Sequence, residues 1–190
     1  MCIRDRSWNE RMEKGSCPIL CNSLQFSFSS EQDRGMYDAI AKGFERFDMH
    51  ADDWMGWINA DDMLAYGAGS LLRQIDDSVC GVNWVGGKGA IINNNVLAPV
   101  ANRPVNTEVI RQGLCDGVHW EFLQQEGTFF RNSLWRNLDV GNSFSDFKYA
   151  GDWNLWRKFA EHDVFYQAKV STGFFRRHEG QLSERCKSGY

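Results

Sequence analysis

Residues 54–63, WMGWINADDM, run from an apolar aromatic stretch directly into Asn59, Asp61 and Asp62. Trp, Met and Ile in succession are the material of a buried strand, and the chain must leave the core where the polar residues begin. A turn needs only one Asp or Asn, whereas two adjacent carboxylates repel each other, so the surplus acid calls for a partner. Leu64, Leu71, Leu72 and Ile75 then recur at helical spacing, which places the Asp pair after a strand and before a helix. Ligands of open α/β sheets bind at that kind of position, outside the carboxyl ends of the strands. The plainer reading is a helix N-cap, which a single acid satisfies. The competing one is a metal–diphosphate site, because hard divalent ions take one or two carboxylates together with substrate phosphates.

The rest of the chain continues the alternation. Tyr37, Ile40, Phe44 and Phe47 predict a short amphipathic helix through MYDAIAKGFERF. VCGVNWV and AIINNNV are strand-like, and the GGKG between them reads as a hairpin turn. A phosphate loop is not supported there, since no Lys-Ser or Lys-Thr follows at the required offset. NTEVIRQG predicts a short helix opened by Asn106 or Thr107, with Gly113 near its end. GDWNLWRKFAEHD predicts a longer one, with Leu155, Trp156, Phe159 and Ala160 on one apolar face. The closing FFRRHEGQLSERCKSGY is basic and polar and reads as irregular, and residues 1–24 show no period. Helices alternating with strands predict an α/β domain whose sheet is at least partly parallel.

Composition narrows the partners. A formal net charge of −4 over 190 residues, with no run of Lys and Arg, offers no footprint for nucleic acid. No apolar stretch approaches the roughly 20 residues of a membrane span. The opening MCIRDRSWNERMEKG lacks the apolar core of a signal peptide, and the six cysteines show no paired zinc spacing. A cytoplasmic protein with reduced thiols is therefore expected. Eight Trp and thirteen Phe could include sugar-stacking platforms, but most aromatic residues in a domain of this size are core.

Three further groups could carry chemistry. Asp152 opens the GDWNLW helix, either as its cap or as a general base that takes a proton from an attacking hydroxyl. LQQEGTFFRNSLW gathers Gln124, Gln125, Glu126 and Thr128 beside two Phe residues, as a strand or loop edge would. Arg176, Arg177 and His178 form either a solvated basic patch or a clamp on a leaving phosphate. His50 and His119 have no partner at ligand spacing and read as structural.

Taken in order, these stretches resemble the family 2 glycosyltransferases of the GT-A fold. SSEQDRGMYDAIAKGF is similar to the family's acidic segment that opens a helix over the nucleotide, and WINADD to its DxD-like metal motif. QQEGTFFRNSLW is similar to its acceptor-side loop, GDWNLWRKFA to its base-bearing helix and FRRHEGQLS to its closing segment. The resemblance implies a GT-A-like, Rossmann-type nucleotide-diphospho-sugar transferase domain over 29–190, a mixed sheet with helices on both faces, and leaves 1–28 unassigned. It implies Asp152 as the base, and Mg²⁺ or Mn²⁺ on Asp61 with Asp62 beside it. Asp33, Gly35, Asp38, Asn59, Asp61, Asp62, Arg176 and His178 would serve the nucleotide sugar, and Gln125, Glu126 and Thr128 the acceptor side. The implied activity is inverting transfer to a saccharide or lipid-linked hydroxyl, in polysaccharide or cell-envelope glycan synthesis. The expected location is cytoplasmic, with peripheral contact at the inner face of the membrane where the acceptor is lipid-linked.

The chain departs from the family at Asn59, where a strict motif has Asp, at Gly151, where an acid often precedes the base, and at Ala41, where Asn is frequent. The family also opens with a strand, a loop and an Asp-rich turn that hold the donor's base and ribose, and nothing before Ser29 resembles them. The expectation is therefore a copy without its N-terminal strands. The alternative is an inert or carbohydrate-binding-only fragment of the same fold.

Overall fold

A computed structural model describes residue 27 and residues 29–78, 81–94, 96–100, 103–138, 140–179 and 181. The chain divides into two compact units, Met1–Asp33 and Arg34–Tyr190. In the first, the described residues are exposed and form neither helix nor strand. The division falls after Asp33, five residues beyond the boundary expected from sequence.

The second unit is mixed α/β. Helix α1 (Met36–Glu45) begins at Gly35, whose φ of 151° and ψ of 177° lie in a region that side chains avoid. It buries Tyr37 and Ala41 and packs Ile40 and Phe44 on the core, but Phe47, expected on the same face, lies beyond the helix end and is exposed. Two sheets follow. The first has the order β1 (Trp54–Met55), β6 (Thr128–Arg131), β3 (Trp84–Gly86) and β7 (Tyr166–Gln167), with β3 and β7 parallel. The second has the order β2 (Met63–Leu64), β8 (Gly173–Arg177), β4 (Ala90–Asn93) and β5 (Val96–Pro99), with β4 and β8 parallel. The remaining pairs are antiparallel. The remaining described helices are α2 (Ala68–Ser78), α3 (Thr107–Arg111), α4 (Asn132–Asn137), α5 (Val140–Phe144) and α6 (Gly151–His162).

Several expectations are revised. The buried strand through WMGWI is only two residues long, and Leu64 lies exposed in β2, ahead of the helix it was expected to join. The strands flanking GGKG do not form a hairpin, because β3 and β4 belong to different sheets. The hairpin is β4–β5, turned through Asn94 at φ 48°, a conformation Asn tolerates better than most residues. FFRR is not irregular, since it belongs to β8 and pairs with both β2 and β4. The two short-range helix signals fare better. Asn106 caps α3 by accepting the Val109 N–H at 3.0 Å, and α6 buries Leu155, Trp156, Phe159 and Ala160 as expected.

The aromatic residues fill the core. Phe130, fully buried on β6, meets Phe44, Trp57, Trp135, Trp156 and Phe159 at ring-centroid distances of 5.0–6.3 Å. Trp156 of α6 lies between Trp57 and Trp84, stacked on each at 5.6 and 5.8 Å. Such ring pairs add about 0.5–1.5 kcal/mol beyond the area they bury.

The chain passes from the first sheet to the second between β1 and β2, between β3 and β4, and between β7 and β8. The crossings meet in a seam where backbones nearly touch. The Ala65 N–H donates to the Thr172 carbonyl (2.9 Å), the Lys88 N–H to that of Val170 (2.9 Å), and Thr172 Oγ1 to that of Gly127 (2.6 Å). Glycine is obligatory there, because a Cβ on Gly173 would stand 1.1 Å from the Glu126 carbonyl oxygen. Gly87 and Gly127 are crowded by Thr172 in the same way. Gly173→Ala is therefore expected to lower stability by about 3 kcal/mol, the upper end of overpacking costs, read from the urea unfolding midpoint. Gly43→Ala, in α1 with open space around its added Cβ, should raise stability by about 0.8 kcal/mol in the same assay.

Candidate active site

The turn at 59–62 carries the chain across the seam, closed by the Asp62 N–H donating to the Asn59 carbonyl at 3.1 Å. Its two carboxylates tolerate each other because they face different partners. Asp62 Oδ1 accepts the backbone N–H of Arg176 on β8 (2.9 Å) and its Oδ2 accepts Asn59 Nδ2 (3.1 Å). Asp61 Oδ2 pairs with His178 Nε2 at 2.8 Å, with both side chains nearly half exposed. That pairing raises the His178 pKa, so the imidazolium is favoured beside Asp61.

Glu126 completes the cluster from the stretch before β6. It is 4% exposed, accepts Gln125 Nε2 at 2.9 Å through Oε1, and lies near enough to Asp62 to feel its charge. Two neighbouring carboxyl groups cannot both hold a full charge cheaply. Burial first, and the Asp62 charge second, push Glu126 up to about 7. Burial, and then repulsion from Asp61, raise Asp62 as well. Two buried atoms beside these carboxyls, Gln125 Oε1 and Arg176 Nε, have no hydrogen-bond partner among the described residues. Arg176 Nη2 lies 3.0 Å from Met63 Sδ.

Asp152 sits apart from these carboxylates. The N-cap of α6 is Ala150, at φ 54° with no side-chain cap bond, so the capping role expected for Asp152 does not fall to it. Its carboxylate lies in the first turn and accepts the Tyr37 hydroxyl at 3.0 Å. Burial raises its pKa, and the hydrogen bonds from Tyr37 and the Trp153 N–H partly offset that. Asp152 and Trp156 are four residues apart on one face of α6. The Trp57–Trp156 stack thus ties the helix bearing Asp152 to the chain two residues before Asn59.

The structure thus gathers Asn59, Asp61, Asp62, Gln125, Glu126, Arg176 and His178 into one polar cluster. Others named from sequence have different engagements. Thr128 is buried and its hydroxyl donates to the Gln124 carbonyl at 2.7 Å. Asp38, 4% exposed, is held by Lys42 and Arg34, each at 2.9 Å, which keeps its carboxyl well below the usual range. Gly35 acts through its backbone at the start of α1, and Asp33 lies exposed in the N-terminal unit. His119 is not partnerless, since its Nδ1 meets Asp116 at 2.7 Å.

Sequence reasoning missed Tyr37 and Gln181. Gln181 accepts the His178 N–H at 3.2 Å and donates to the Arg176 carbonyl, fixing the backbone around the Asp61 partner. No periodicity marks it. Tyr37 reads as one more apolar helix position.

Among the described residues no three His, Cys, Asp or Glu side chains converge as a metal-ligand group. Asp62, expected beside Asp61 at the metal, has Oδ1 engaged by the Arg176 N–H and Oδ2 by Asn59 Nδ2. Asp61, nearly half exposed, offers one carboxylate to a cation whose remaining ligands would come from a substrate's phosphates. No helix among the described residues is long and apolar enough to cross a membrane. No protein-family model matches the chain, and no curated protein matches it.

The Glu126 shift has a signed consequence. Its folded pKa of about 7 exceeds the ordinary 4.5, so the folded state binds more protons than the unfolded state between those values. Stability should fall as pH rises through that window and level off above it. Glu126→Gln should flatten the fall, read as urea midpoints from pH 4.5 to 8. An identical slope in the variant would disprove the assignment.

Proposed function

We propose that the chain carries the catalytic side of an inverting glycosyltransferase of the GT-A type. It would move a sugar from a nucleotide-diphosphate donor to a saccharide or lipid-linked hydroxyl, in polysaccharide or cell-envelope glycan synthesis. The supporting observation is the meeting of three distant stretches, 59–62, 125–126 and 176–178, in one polar cluster tied to the Asp152 helix through stacked indoles.

The chemistry follows from the charges. A leaving nucleoside diphosphate gains negative charge as the glycosidic bond breaks. Arg176 and the His178 imidazolium are the positive groups able to receive it. Asp61, the solvent-facing carboxylate of the adjacent pair, would hold Mg²⁺ or Mn²⁺, which when bound supplies further compensation for that charge. The upward shifts of Asp62 and Glu126 limit the negative charge that the diphosphate would meet. Asp152 accepts the proton of the acceptor hydroxyl as that oxygen attacks the anomeric carbon from the opposite face, which inverts the centre. Its raised pKa strengthens it as a base.

The test is release of nucleoside diphosphate from a panel of nucleotide sugars, with Mn²⁺ and with a chelator. Asp61→Ala should abolish metal-dependent turnover, and Asp152→Asn should lower kcat by about 10²–10⁴-fold. Turnover indifferent to both the chelator and Asp61→Ala would refute the proposal.

A further inference from the structure

We infer that Tyr37 is a positioning residue for Asp152: its hydroxyl fixes one carboxylate oxygen and leaves the other to take the acceptor's proton. The inference rests on the glycosyltransferase reading for its catalytic consequence, but the pairing itself stands on geometry alone.

The arrangement is built from both sides. Tyr37 is 2% exposed on α1, its ring edge-on to Phe144 of α5 at 4.8 Å, and its hydroxyl reaches Asp152 Oδ1 at 3.0 Å. Against the same ring lies Gly151, the residue before Asp152, where an added Cβ would stand 2.9 Å from three ring carbons. The glycine lets the ring approach the backbone so closely, and the contact fixes where the hydroxyl can be. Ala150, left-handed at φ 54°, turns the chain so that Asp152 falls in the first helical turn facing Tyr37 rather than at the capping position. Three successive residues therefore serve one hydrogen bond.

Other charged groups on the surrounding elements are engaged elsewhere. Asp38 of α1 turns to Arg34 and Lys42. On α6 itself, Arg157 lies over Trp153 and Lys158 donates to Ser143 of α5, while Glu108 and Arg111 of α3 pair with each other. Tyr37, first, and the backbone N–H groups of Trp153 and Asp152 itself favour ionised Asp152, against burial. The Tyr37 phenol, pushed upward by burial and by the Asp152 charge, remains protonated and donates throughout the working range.

Tyr37→Phe keeps the ring and removes the donor. A carboxylate that loses a hydrogen bond to its charged form titrates higher, so the acid limb of the kcat profile should move up by about one pH unit. The donor KM should stay unchanged while kcat falls about 10-fold. Gly151→Ala, which pushes the ring away, should reproduce the shift, and thermal unfolding checks that both variants fold. A ¹³C-carboxyl NMR titration of Asp152, assigned by its loss in Asp152→Asn, reads the pairing without any turnover. A midpoint that rises in Tyr37→Phe supports the inference, and an unchanged midpoint overturns it. Where turnover is present, an unmoved acid limb with unchanged kcat also overturns it. Absence of turnover in the unaltered protein defeats the glycosyltransferase reading, while the NMR midpoint still decides the pairing.

Discussion

The tight approach of Gly173 to the Glu126 carbonyl leaves no room for a side chain, and the polar cluster depends on it. With any side chain at Gly173, β8 would be pushed off the stretch before β6. Arg176 and His178 follow Gly173 on the same strand and its continuation, and they would retreat with it. Glu126 would then lose the proximity to Asp62 that adds to its upward shift. Crowding at three glycines thus bears on the titration of a buried acid.

The adjacent carboxylates at 61 and 62 divide their work through direction. Asp62 turns inward and fastens the turn to β8, with the Arg176 N–H and Asn59 occupying its oxygens. Asp61 turns outward to an imidazolium that solvent also reaches. One acid holds the framework and the other is left facing solvent. Asp152 takes a third environment, away from the ion pairs, where burial and a phenol set its basicity in opposition. Three carboxyl groups of similar intrinsic strength therefore serve different ends on one scaffold.

The aromatic wealth of the chain serves this scaffold. Trp57 after β1, Trp156 on α6 and Trp84 on β3 stack in turn, with Phe130 of β6 against Trp57 and Trp156. Rigid flat rings lose little conformational entropy on burial, so the helix bearing Asp152 is held against the segment that leads into the Asp pair. The indole nitrogens of Trp84 and Trp156 are buried without partners among the described residues, a cost the stack must outweigh.

Sequence alone determined the helices whose apolar faces repeat at 3.6 residues, α1 and α6, and the Asn106 cap of α3, because these depend on neighbours within a turn. It also marked Asp61, Asp62, Glu126, Arg176, His178 and Asp152 as chemically unusual, since each is a charged residue beside apolar strand or helix material. The pairing of strands was not legible in it. GGKG looks like a hairpin loop whether the next strand folds back or crosses to a second sheet, and FFRR looks polar until β2 and β4 enclose it. Nor was the division of labour between Asp61 and Asp62, or the bond from Tyr37 to Asp152, which joins residues 115 positions apart. Those were decided by tertiary contact, because a side chain's charge state and partner follow from what surrounds it in space, and the surroundings here come from segments distant in the chain.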